Sequence, residues 1–164
     1  MDWVLFGVQW LHVLLGVFWF GNAIAVAVIL IPAISALPIP TQRQIGSRYA
    51  DIAERTFKVV APTVIALGII RGTVLGPIRS LDSLGTAYGI TWLIAMVAAI
   101  ATLLWGLYVI GGAAQIMSAA PLGPGGEPTP ELVRATARVK QVAVLELVGF
   151  LVVFTCMILM RFGL

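Results

Sequence analysis

The sequence predicts an all-α polytopic membrane protein, a bundle of four transmembrane helices with both termini outside. Three observations carry this. The 164-residue chain is 60% hydrophobic and 10% charged, with a mean hydropathy of +1.05. A soluble domain is nearer half apolar and a quarter charged, so the surplus apolar surface calls for the bilayer as solvent. Four apolar runs, residues 3–34, 57–75, 88–117 and 142–160, each approach or exceed the roughly 20 residues that cross a hydrocarbon core. None alternates with period two over its length, so a β-barrel is not expected.

The first run opens "MDWVLFGV". It lacks a positive n-region and outruns the roughly 7–15 apolar residues of a signal-peptide core, so it is expected to persist as a helix. Next comes "LPIPTQRQIGSRYADIAERTF", where Thr41 and Gln44 match a capping box and Ile45, Tyr49 and Ile52 mix with polar residues. This predicts that the second helix begins in the cytoplasm. Pro62 should bend that helix without ending it. Gly68, Gly72 and Gly76 form two GxxxG steps on it, and Ala98, Thr102 and Gly106 form a small-residue stripe on the third helix. Such stripes let helix backbones approach closely in lipid. "AAPLGPGGEPTP" is a Pro/Gly linker, and "EPTPELVRATARVKQ" extends the fourth helix into the cytoplasm. The chain is therefore one domain, 1–164, whose halves share a plan without being a sequence repeat.

Orientation follows the positive charges. The first connection carries Arg43, Arg48, Arg55 and Lys58, and the third carries Arg134, Arg138 and Lys140; the second holds only Arg79. The first and third connections are thus expected in the cytoplasm, in a bacterial inner membrane. The net charge of +3 is scattered over the ends of the apolar runs, so no nucleic-acid partner is expected. Cys156 is the only cysteine, which excludes an intrachain disulfide. No CxxC, CxxCH, HExxH, Walker or GxGxxG signature occurs, and no Ser/His/acid set marks a catalytic centre.

Ionisable groups at membrane depth are costly and raise functional hypotheses. They are His12, Arg71, Glu146 and, near the inner edge, Lys58. At about 1.5 Å of rise per residue, His12 lies roughly 13 Å below the outer surface. Arg71, Met96 and Cys156 fall near that depth, and Asn22, Lys58, Trp105 and Glu146 form a deeper layer. Gln9, His12, Gly16, Trp19 and Ala23 recur at steps of three and four, so they share one face of the first helix. Imidazole is the commonest haem axial ligand, and methionine can serve opposite it. Gly16, one turn below His12, removes bulk where a porphyrin would pass, and Arg71 could hold a propionate. Alternatively His12, Met96 and Cys156 are a soft ligand set suited to Cu(I). A proton or ion path from His12 to Glu146 is a third alternative. The bland alternative is helix packing with no cofactor, in which His12 only hydrogen-bonds a neighbouring helix.

His12, Trp19 and Gly21 in "LHVLLGVFWFGNAIAVAVILIPAI" resemble the first-helix motif of CopD-like membrane proteins and, more distantly, of HemJ-type protoporphyrinogen oxidases. "GIIRGTVLGPIRSLDSLGTAYGITW" resembles the junction of the second and third helices in the same group. The resemblance spans about two-thirds of the chain. It implies that His12 is the ligand position, with Trp19 and Gly21 as structural partners. CopD-like relatives imply copper handling, and HemJ-like relatives imply haem binding. HemJ-type enzymes need a Lys shortly after the third-helix Gly, where this chain reads "YGITWLIAM", so oxidase activity is not implied.

The leading expectation is a membrane protein binding haem b, or copper, through His12. Met96 is the expected second contact and Arg71 the propionate partner. Its use would be electron transfer, sensing or cofactor handling. The alternatives are an accessory protein that oligomerises through the glycine stripes, or a small transporter using His12 and Glu146. The expected partners are the lipid bilayer and either further copies of the chain or the other subunits of a membrane complex.

Overall fold

The structure is a computed structural model, and it describes residues 2–163. Four long helices account for most of it: α1 Trp3–Ser35, α2 Ile39–Gly72, α3 Ala87–Ala119 and α4 Pro130–Arg161. Among the described residues there is no strand, only an isolated bridge between Leu122 and Pro128 inside the Pro/Gly linker.

Three of the helices, α1, α3 and α4, are long and apolar enough to cross a membrane. Helix α2 is as long, but Arg55 and Lys58 lie in its middle and Arg71 in its last turn. The outer surface is apolar: Val17, Val28, Val97 and Val144 are 65%, 62%, 67% and 56% exposed. Water would penalise so continuous an apolar face, and lipid does not.

Each helix starts and stops for a local reason. Asp2 caps α1, its carboxylate accepting from the N–H groups of Val4 and Leu5. Pro32 removes one N–H and crowds the preceding turn, and α1 answers with a π-helical segment over Val26–Leu30. The capping box expected at Thr41 and Gln44 does not form. Helix α2 already begins at Ile39, because Pro38 and Pro40 hold backbone angles suited to a first turn. Gln42 secures that entry instead, donating to the carbonyls of Ser35 and Leu37.

Helix α2 runs unbroken through Pro62 and stops at Gly72, three residues short of the expected Leu75. There the chain folds back so that Ile78 donates to the Gly72 carbonyl. Gly76 sits against the carbonyls of Arg71 and Gly72, where a Cβ would collide with backbone. Thr129 caps α4 by accepting from Leu132 N–H. The expected extensions of the second and fourth spans are therefore helical and continuous with the apolar segments.

The helices pack in chain order, α1 with α2, α2 with α3 and α3 with α4, and α4 closes against α1. Trp19, Ala23, Ala61, Val64 and Phe150 are the buried centre. Small residues bring α3 and α4 together, with Thr102 against Gly149 and the Glu146 carboxylate against Gly106.

Candidate functional site

The half of the α1–α2 interface nearer the start of α1 holds the first polar cluster. His12 Nδ1 lies 3.0 Å from the carbonyl oxygen of Val64. A carbonyl only accepts, so Nδ1 carries the proton and Nε2 keeps its lone pair. The ring rests on Gly68, one turn along α2, where an added Cβ would stand 3.2 Å from His12 Cε1. One turn further, Arg71 Nε donates to Gln9 Oε1 at 2.9 Å. Trp92 of α3 covers Gly72 and points its Nε1 at the Gly68 carbonyl, 3.4 Å away. Val64, Gly68 and Arg71 are i, i+4 and i+7, so one stripe of α2 receives His12, Trp92 and Gln9.

A cavity of about 310 Å³ lies above this cluster, lined by Asp2, Leu5, Phe6, Gln9 and Arg71. Arg71 has no carboxylate partner among the described residues. Gly16 faces the same way as His12, yet a Cβ added there meets nothing within 4 Å.

The remaining expected residues divide. Trp19 is a core residue, meeting Phe150 edge-on with ring centres 5.0 Å apart. Gly21 is exposed, with open space beside it. Cys156 is buried on α4 and Met96 half-buried on α3, and no hydrogen bond ties either to His12. Among the described residues no three His, Cys, Asp or Glu side chains converge to hold a metal ion.

The deeper layer is only partly assembled. Asn22 meets the Tyr49 hydroxyl, its amide nitrogen donating at 2.9 Å while the hydroxyl lies 3.0 Å from its carbonyl oxygen. Glu146 faces Gly106, and Trp105 Nε1 donates to the Val142 carbonyl at 3.0 Å. Lys58 does not join them. It points outward, 61% exposed, and donates to Glu54 at 2.6 Å. That hydrogen bond holds the Glu54 carboxyl below its ordinary pKa.

Sequence reasoning missed Tyr49 as the partner of Asn22, and the Val64 carbonyl as the partner of His12. Tyr49 stood out only as an aromatic in a polar stretch. A backbone carbonyl leaves no mark in a sequence at all.

No family model, curated protein or solved structure matches the chain. Its class is read from the molecule itself: an all-helical protein whose apolar helices are suited to a membrane, with a histidine-centred polar cluster between two of them.

Proposed function

We propose that the chain is an integral membrane protein of four spanning helices, with both termini outside, that holds haem b in its outer half through His12. The single observation carrying the site is the His12 Nδ1–Val64 hydrogen bond. A ligating histidine ordinarily donates its other ring N–H to a carbonyl or carboxylate, which fixes the tautomer and leaves the second nitrogen for the metal. His12 already has that arrangement.

Three residues support a haem. His12 would hold the iron through Nε2, Arg71 would pair with a propionate beside the neighbouring cavity, and Gly16 leaves open space one turn along α1 from His12. The donor set favours haem over a copper ion. A haem iron already has four porphyrin nitrogens and needs one protein ligand, whereas a lone imidazole is a poor copper site. When bound, the group would supply a one-electron couple within the membrane. The chain's own part is to present Nε2, neutralise a carboxylate with Arg71, and exclude water behind Trp19 and Phe150. The first-helix resemblance to CopD-like and HemJ-type proteins points the same way.

Four spans are favoured because α2 keeps register with α1 throughout. Asn22–Tyr49, Phe18–Phe57, His12–Val64 and Gln9–Arg71 follow one another in antiparallel order. If α1 crosses the bilayer, α2 crosses beside it. The test is the oxidised and reduced visible spectrum of purified protein, alongside His12→Ala. The expected result is a Soret band with reducible α and β bands that His12→Ala abolishes. A band unchanged in the variant removes His12 from the role. A colourless sample that takes up no supplied haem overturns the reading.

A further inference from the structure

The cavity at the opposite end of the bundle is not explained by His12. It is a half-open cleft of about 360 Å³ where the α1–α2 turn, the end of α3 and the start of α4 meet. Arg43 and Lys140 line it, and no Asp or Glu does. Arg43 gives one guanidinium nitrogen, Nη2, to the Ala120 carbonyl, while its Nε is buried without a hydrogen-bond partner among the described residues. An N–H shut away from water is equally shut away from an anion, so the preference for an anion comes instead from the two cations that line the cavity with no carboxylate among them.

The other polar groups of the wall are neutral, and Gln42, Ser35 and Thr136 donate to backbone carbonyls. Glu127 is occupied by Gly125 N–H and does not line the space. The rest of the wall is largely apolar, with Ile39, Met117 and Leu132 prominent.

We propose that this cavity binds the phosphate of an anionic phospholipid, with Arg43 and Lys140 on the headgroup and the apolar wall against the glycerol and upper acyl chain. A free phosphate would use the two cations but gain nothing from the apolar wall. The location suits a lipid. Helix α1, at 33 residues and about 1.5 Å each, outruns a hydrocarbon core of roughly 30 Å, so its last turn stands among headgroups. Basic pockets between spanning helices are favourable seats for acidic lipids. The proposal rests neither on His12 nor on which side of the membrane this end faces.

The test is native mass spectrometry of the full-length protein in detergent. Phosphatidylglycerol and phosphatidylcholine with identical chains are titrated in, with inorganic phosphate as competitor. The expected result is preferential uptake of one phosphatidylglycerol that inorganic phosphate does not displace. Lys140→Gln should cut that preference about fivefold, the effect of one basic side chain near an anionic lipid, and adding Arg43→Gln should abolish it. Lys140 is exposed, so its substitution leaves the fold intact even if loss of the Arg43–Ala120 bond loosens the linker. Arg138→Gln, outside the cavity, should change nothing. Equal uptake of both lipids overturns the proposal, as does a preference that survives Lys140→Gln or falls equally in Arg138→Gln. Displacement by inorganic phosphate assigns the cavity to a soluble anion and overturns the lipid.

Discussion

His12 is set by two neighbours of different kinds. The Val64 carbonyl fixes its proton, and the bare backbone of Gly68 gives the ring its place. Gly68→Val is therefore expected to push the ring off Val64. Overpacking of this kind costs about 1–3 kcal/mol, so the melting temperature should fall, and haem uptake should fall with it. A variant that melts and binds like the wild type would show that Gly68 is not the wall of the site. Trp19 is different. It fills the core against Phe150, so Trp19→Ala should destabilise by about 3–5 kcal/mol, while Trp19→Phe should keep most of the stability and the Soret band. Loss of the band in a well-folded Trp19→Phe would give Trp19 a direct part in holding haem. His12 and Arg71 were legible in the sequence because an ionisable group in an apolar run stands out. Val64 was not, because every residue has a carbonyl.

At the scale of the element, packing within the chain suffices to explain the glycine stripe of α2, and contact with a second copy belongs to the accessory alternative. In the folded chain His12 covers Gly68 and Trp92 covers Gly72. Gly72→Leu should displace the Trp92 indole and lower the melting temperature, with the oligomeric state unchanged by light scattering. A changed oligomeric state at unchanged stability would return the stripe to contacts between copies. The ends of helices were read less well than their existence. Thr41 and Gln44 have the capping-box spacing, but Pro38 and Pro40 impose the first turn earlier. Thr129 is the cap that does form, and Thr129→Ala should cost about 1 kcal/mol in thermal unfolding.

Across the whole molecule, the distribution of positive charge predicts an orientation that can be tested. With the first and third connections inside, a cysteine at Ser47 should react with an impermeant maleimide only after permeabilisation, and one at Leu81 should react in intact cells. Both positions are exposed, and native Cys156 is only 6% exposed, so background labelling should be low. The reverse pattern would turn the bundle over.

The sequence alone determined the class and the elements. Suitability for lipid is a local property: a helix satisfies its own backbone hydrogen bonds, so run length and apolar composition suffice to find it. The positive charges at the ends of the runs added an orientation to test. Only the tertiary structure decided which polar groups meet. It joined His12 to a carbonyl 52 positions away and Asn22 to Tyr49. It turned Lys58 out to Glu54, and brought Arg43 and Lys140 to one cavity. The reason lies in the helices themselves. When most of a helix surface is apolar, the hydrophobic pattern scarcely fixes its rotation or register, and those two quantities decide every side-chain partner.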